Sequence, residues 1–220
     1  MANGISFRLA AQPLAAGGVE DGMAAAPASL ASPCDLDAQL MVRVGMGDSA
    51  SFNLLLERHR TPVVHFLYRM VQNRAIAEDL AQEVFLRVYR SRAGYQPSAK
   101  FTTWLFRIAT NLAFNWVRDE KNRRQQRSIE GDEAGMRARQ IGDGRPSVER
   151  VLVDEVKLQE VRDAIAQLPE KQRAAVLMHK YEEMEYSQIA KVLGLSESAV
   201  KSLLFRAYEN LRARLAHYAG

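Results

Sequence analysis

Between Tyr95 and Arg127 the chain interleaves aromatic rings with cations. Tyr95, Phe101, Trp104, Phe106, Phe114 and Trp116 share this stretch with Lys100, Arg107, Arg118, Lys121, Arg123, Arg124 and Arg127, and only Asp119 and Glu120 oppose the charge. Rings of this kind stack on unpaired bases, and cations follow a phosphate backbone. Asn111 and Asn115 add amides suited to base edges, and Thr102 and Thr103 add hydroxyls for phosphate contact or helix capping. Part of this composition has a plainer use. Trp104, Ile108, Leu112 and Trp116 fall on one helical stripe, which assigns both tryptophans mainly to a core.

A second chemistry-bearing stretch runs from Ser187 to Leu211. Ser187 to Leu193 is short and amphipathic, with Ile189 and Leu193 facing inward and Ala190 small enough for a close helix crossing. Gly194 can take the positive φ of a tight turn. Ser196 is a good N-cap, and Glu197 in the first turn suits the helix dipole. Leu195, Val200 and Leu203 would lock the second helix onto the first. This is a helix-turn-helix pattern, for which the bland alternative is a helical hairpin in a bundle. The outward face of the second helix decides between them. It carries Glu197, Ser198, Lys201, Ser202, Phe205 and Arg206, with Arg212 and Arg214 extending the charge. A recognition helix presents such residues to the major groove, and Lys201 and Arg206 can reach phosphates or guanine edges.

Other chemistries find little support. His59, His65, His179 and His217 are scattered, and no His-Glu-x-x-His or phosphate loop is present. The one cysteine, Cys34, has no evident base beside it and excludes an intrachain disulfide. The reading therefore includes no catalytic residue, no metal and no cofactor. The net charge of +4 is too mild to argue for nucleic acid by itself; local clustering carries that argument. No apolar run approaches the roughly 20 residues that span a bilayer.

The elements that position these residues read as helices from Asp35 onward, with no alternation long enough for a strand. Asp35 or Asp37 caps a short first helix. Ser49 opens a second, in which Pro62 is a kink site. Asn73 marks the next boundary. The helix after it sets Ile76, Leu80, Val84 and Val88 on one face and Glu78, Asp79, Gln82, Glu83 and Arg87 on the other. Gly94 and Pro97 then break the chain before the long aromatic helix. Glycines at 131, 135, 142 and 144, with Pro146, mark a charged linker lacking an apolar stripe. Pro169 suits the first turn of a later helix. The expected architecture is all-α, with two small helical domains joined by a flexible linker. Residues 1–34 form a disordered tail, 35–120 the first domain, 121–147 the linker and 148–220 the second domain.

Taken together and in this order, these segments resemble the extracytoplasmic-function group of the sigma-70 family. Ala77-Glu78-Asp79-Leu80-Ala81-Gln82-Glu83-Val84-Phe85-Leu86-Arg87-Val88-Tyr89 is similar to the family's region 2.2. Phe101-Thr102-Thr103-Trp104-Leu105-Phe106-Arg107-Ile108-Ala109-Thr110-Asn111 is similar to regions 2.3 and 2.4. Leu168-Pro169-Glu170-Lys171-Gln172-Arg173, with the helix-turn-helix from Tyr186 to Arg206, is similar to region 4. The resemblance covers about Asp35 to Ala216 and leaves out the tail and the linker.

It implies an alternative RNA polymerase sigma factor, a bacterial cytoplasmic protein that directs transcription initiation and is not an enzyme. By the same resemblance, Asp79, Gln82, Glu83 and an exposed Phe85 would face the clamp helices of polymerase β′. Lys100, Thr102, Thr103, Trp104, Arg107, Asn111 and Asn115 would hold the melted −10 strand, with the loop before Phe101 pocketing a flipped base. Ser196, Ser198, Lys201, Ser202, Phe205 and Arg206 would read the −35 element. Implied partners are core polymerase through the β′ clamp and β flap, promoter DNA and an anti-sigma factor, with no membrane insertion by the chain itself. Several relatives carry arginine where this chain has Leu203 and Tyr208, which implies fewer phosphate contacts or a different −35 preference. The rival reading is a conventional helix-turn-helix regulator acting on duplex DNA alone; the acidic, amide-rich helix face at Asp79 to Phe85 disfavours it.

Overall fold

The computed structural model describes residues 35–129 and 158–218. The expected tail, and the linker beyond residue 129, lie outside the described residues. Among those described, the protein is all-α, with short 3₁₀ turns at Arg92–Gly94 and Ala216–Tyr218.

Each early helix begins at a side chain that satisfies its free amides. Asp35 caps α1 (Leu36–Gly45), its carboxylate accepting the Asp37 N–H at 3.2 Å. Asp48 caps α2 (Ser49–Val71) by accepting from the Ala50 and Ser51 amides at 2.9 and 3.2 Å and from the Ser51 hydroxyl at 2.7 Å. These bonds, the Ser51 hydroxyl foremost, hold the Asp48 carboxyl below its ordinary pKa. Asn73 caps α3 (Arg74–Arg90) by accepting the Ile76 N–H at 3.1 Å. Helix α2 continues through Pro62 without a break. Of the two aspartates available to cap α1, Asp35 does so, while Asp37 is buried against α2.

Helix α4 (Phe101–Ile129) runs on through the first residues read as linker. It packs against α2 and α3 over a core of Met41, Leu55, Val63, Phe66, Leu67, Met70, Val84, Val88, Leu105 and Phe106. Phe66 and Phe106 meet edge to face, with centroids 5.2 Å apart and planes at 86°. Burial of each such ring or leucine is worth about 1.5–3 kcal/mol over leaving it exposed. Helix α1 meets the 3₁₀ turn at backbone distance. A Cβ on Gly45 would stand 2.9 Å from the Arg92 carbonyl oxygen, so only glycine allows this approach.

The second module comprises α5 (158–166), α6 (Glu170–Tyr181), α7 (Tyr186–Leu193) and α8 (Glu197–Arg214). Pro169 stands at the cap of α6, one place before the first turn, where its missing N–H leaves nothing unpaired. Gly194 ends α7 with φ 64°, and its amide and that of Leu195 both donate to the Ala190 carbonyl. Ser196 then caps α8, accepting the Ala199 N–H at 3.2 Å. The locking face comprises Ile189, Ala190 and Val192 on α7 and Val200, Leu204 and Ala207 on α8, with Leu193, Leu195 and Leu203 partly buried at its edge.

The two modules touch. The Arg173 guanidinium donates to the Met70 carbonyl at the end of α2 at 2.6 Å, and to the Leu168 and Ala166 carbonyls of its own module, the former at 3.2 Å. The Arg69 guanidinium lies 3.9 Å over the Tyr181 ring. Helix α7 packs on α4, where the Gln188 amide nitrogen donates to the Thr103 hydroxyl at 3.4 Å.

Candidate nucleic-acid interface

Helix α8 divides sharply. Val200, Leu204 and Ala207 are buried, and Ser198, Lys201, Ser202, Phe205 and Arg206 stand on the opposite side in solvent. Phe205 is 68% exposed, so the alternative of a core contact is ruled out within this fold. A phenyl ring left in water beside two cations does nothing for packing and is suited to contact with a partner. Ser196 is occupied as the cap, and the Ser202 hydroxyl donates back to the Ser198 carbonyl at 3.1 Å, leaving its lone pairs outward. The Lys201 ammonium lies 5.8 Å over the Tyr186 ring, which steadies it against α7. Burial, with the neighbouring Tyr186 adding to it, raises the pKa of the Tyr208 phenol.

On α4, Arg107, Asn111, Asn115 and Arg118 recur at spacings of four, four and three residues, and all are exposed. They form one solvent-facing stripe. The Arg118 guanidinium donates to the Asn115 side-chain oxygen at 3.2 Å, which orients that amide. Thr103 lies at the head of the same stripe but is buried beneath Gln188 of α7, at 4% exposure. Its hydroxyl is therefore covered in this arrangement. Thr102 is half-buried and Lys100 exposed at the helix entrance.

Trp104 is partly buried, its ring 4.9 Å from Tyr95 and 5.9 Å from Phe101. The sequence assigned it mainly to a core, and the structure gives it a core side and a solvent side. Tyr95 also meets Phe101 edge to face, with centroids 6.3 Å apart. Its phenol is pushed up to about 12, by burial first and then by the negative charges of Asp35 and Asp37.

On α3, Asp79 and Gln82 are exposed, and Glu83 is half-buried in an ion pair with Arg87 at 2.7 Å. The expectation of Phe85 as an exposed aromatic is not met. Phe85 is 6% exposed, because it follows Ala81 by one turn and shares the buried stripe with Val84 and Val88. The large apolar side chains that do reach solvent on this helix are Leu86 at 48% and Tyr89 at 40%, which the sequence reading passed over.

Sequence reasoning also missed how the aromatic helix is anchored. Asp35 accepts the Phe101 N–H at 2.6 Å, and the Asp37 carboxylate meets His59 Nε2 at 2.8 Å. Asp35 and Phe101 lie 66 residues apart, so no local pattern announces the contact. Among the described residues, no group of three or more histidines, cysteines or carboxylates is assembled to hold a metal, and no helix is long and apolar enough to cross a membrane.

The arrangement is that of a two-module helical protein suited to nucleic acid, with a helix-turn-helix in one module and a basic aromatic helix in the other. Comparison with known proteins narrows this class. Residues 55–123 match the family model for sigma-70 region 2, and residues 158–211 match that for sigma-70 region 4. The chain is 37% identical over 175 residues to RNA polymerase sigma factor CarQ of Myxococcus xanthus, covering 80% of this chain and 95% of CarQ. It is 30% identical to the ECF sigma factor SigW of Bacillus subtilis, covering 79% of this chain and 93% of SigW. Its fold resembles that of CnrH, solved in complex with the cytosolic domain of CnrY, with a TM-score of 0.62, 21% identity and coverage of 82% and 97% of the two chains. The chain belongs to the extracytoplasmic-function group of the sigma-70 family, the alternative sigma factors of RNA polymerase.

Proposed function

We propose that this protein binds core RNA polymerase in the bacterial cytoplasm, addresses it to promoters and helps to open them, without catalysing a reaction itself. The observation that carries this reading is the division of α8. The face bearing Ser198, Lys201, Ser202, Phe205 and Arg206 is in solvent while the opposite face is sealed in the helix-turn-helix core. This helix reads the −35 element in the major groove. The stripe of Arg107, Asn111 and Asn115, with Lys100, Thr102 and Trp104 at its head, receives the melted −10 strand by stacking and phosphate contact, and Thr103 joins it once Gln188 of α7 moves off its hydroxyl. Asp79, Gln82 and Glu83, with Leu86 as the accessible apolar group, dock on the β′ clamp helices; Phe85 supports that face from beneath. The second module also meets the β flap.

Residues 35–120 form the core-binding and −10 module, 121–147 the tether and 148–220 the −35 module. Neither module needs high affinity alone, because the tether raises the effective concentration of the second once the first is bound. An anti-sigma factor covers these faces when the protein is held inactive. Control by such a partner is supported by a structural neighbour from Bartonella quintana, a sigma factor solved in complex with the anti-sigma factor NepR; another neighbour, CnrH, was solved with the cytosolic domain of CnrY.

The test is run-off transcription by purified core polymerase on promoter DNA enriched from the protein's own genome. Transcripts from discrete start sites only when the protein is added are expected. Asp79→Ala should then weaken core binding, and Arg206→Ala should weaken −35 recognition. Tight duplex binding without core and no stimulation of transcription would overturn the reading in favour of a conventional helix-turn-helix regulator.

A further inference from the structure

The first residue of α4 is fastened by a residue far from it in sequence. The first amides of any helix lack intrahelical partners and must find acceptors. One carboxylate serves two helices here. Asp35 Oδ1 accepts the Asp37 N–H of α1 at 3.2 Å, and Asp35 Oδ2 accepts the Phe101 N–H of α4 at 2.6 Å. Both helix N-termini favour the same negative charge, and a charged acceptor makes the bonds short and directional.

The surroundings make the link rigid. The Phe101 ring is fully buried, with His59, Trp104 and Tyr95 at centroid distances of 5.3, 5.9 and 6.3 Å. His59 Nε2 is in turn 2.8 Å from Asp37 Oδ2, and Arg58 pairs with the other oxygen of Asp37 at 3.2 Å. The cap and first turn of α1 therefore present two carboxylates, one to α4 and one to α2, with Phe101 held between. The remaining link is Tyr95, which starts the 95–100 segment and meets both Phe101 and Trp104.

We propose that Asp35 is a positioning residue for capture of the −10 strand. By bridging the starts of α1 and α4 it fixes Lys100, Thr102 and Trp104 at the head of the α4 stripe that is proposed to receive the strand. A site held in place before binding loses less conformational freedom when the strand arrives. The inference rests on the −10 role proposed above.

Two substitutions separate its two bonds. Serine is a good N-cap, so Asp35→Ser keeps the cap of α1, but its single short hydroxyl cannot also reach the Phe101 amide. Asp35→Ala removes both bonds. The full-length protein is assembled with core polymerase, and binding is measured to a labelled single-stranded oligonucleotide selected from a random pool by the wild-type complex. Asp35→Ser is expected to lose about tenfold in strand affinity, the effect of one hydrogen bond to a charged acceptor, with core affinity and binding to −35 duplex unchanged. Asp35→Ala is expected to lose at least as much. Wild-type strand affinity in Asp35→Ser would overturn the proposal. So would a parallel loss of core and strand binding, which would make the residue merely structural. Failure of the wild-type complex to select any strand would instead sink the −10 reading itself.

Discussion

Replacing Arg173 with methionine removes its donors while keeping an unbranched side chain of useful length. The guanidinium is half-buried, and burial lowers its pKa, with Glu170 opposing the shift. It nevertheless stays charged at any working pH. Of its three carbonyl acceptors, only Met70 belongs to the other module. That carbonyl is near the end of α2, where the helix dipole is negative, so the bond is charge-assisted on a favourable site. Its net value is about 1.5–3 kcal/mol, which shifts a closed–open equilibrium between modules roughly tenfold to a hundredfold. The companion contacts are the Arg69–Tyr181 stack and the Gln188–Thr103 bond. The stack is worth about 0.5–1 kcal/mol at an exposed site, so Arg173 should be the largest polar contribution. Spin or dye labels at Ala75 and Lys191, both exposed, in a Cys34→Ser background report the separation of the modules. Arg173→Met should add a longer-distance population absent from the wild type and leave Thr103 more accessible. An unchanged distance distribution in a folded variant would refute the assignment of Arg173 to this contact.

Gly45→Ala should lower stability by about 1–3 kcal/mol, since the new methyl meets a backbone oxygen that cannot rotate away; a denaturant midpoint equal to the wild type would contradict this. Glu182 is half-buried, and burial raises its carboxyl to about 7, with Arg69 pulling the other way. Its folded pKa lies above its unfolded one, so its contribution to stability is fully present below about pH 4.5 and is lost as pH rises through about 7. The shift sets a ceiling of roughly 3 kcal/mol, which solvent screening reduces to about 1. Glu182→Gln should therefore flatten the fall in stability between pH 5 and 8, and identical profiles for the two proteins would contradict it. Lys201→Ala should reduce the salt slope of promoter binding by about one and weaken all sequences alike, whereas Arg206→Ala should cost about 1–3 kcal/mol and relax preference at one base pair. Binding isotherms against salt on matched and mismatched −35 sites would separate the two, and equal effects on all sites from both would contradict the division.

What could be read from the sequence was whatever local geometry determines. Asn73 falls at the boundary it was expected to mark and caps the helix there, Ser196 caps the helix it was expected to cap, and Gly194 takes the positive φ that the turn requires. These features depend on a few consecutive residues. Placing a side chain on one edge of a helical stripe or the other depends on the neighbours that pack there, and there the reading slipped. Phe85 went inside and Leu86 outside, and Val192 rather than Leu193 joins Ile189 on the buried face of α7. A helical period defines a stripe about 100° wide, too coarse to decide between adjacent apolar residues at its border. The bonds from Asp35 to Phe101 and from Arg173 to Met70 had no signature at all, because an aspartate cap or a basic residue after a proline looks the same whatever it reaches across the fold.

The two proposed reading surfaces are built under different constraints, and that difference bears on how each can change. On α8, Ser198, Lys201, Phe205 and Arg206 contribute nothing to the core, so their identities can vary at a stability change within about 0.5 kcal/mol each. On α4 the head of the stripe has structural duties as well. Thr103 is buried, Trp104 packs on Tyr95 and Phe101, and Phe101 is tied through its amide to Asp35 and through its ring to His59. A substitution there alters both the surface and its support, and its effects will not add simply, because the residues share partners. On the proposed assignment, preference for the −35 element is therefore the more freely adjustable of the two, while −10 capture is bound to the integrity of the α4 module.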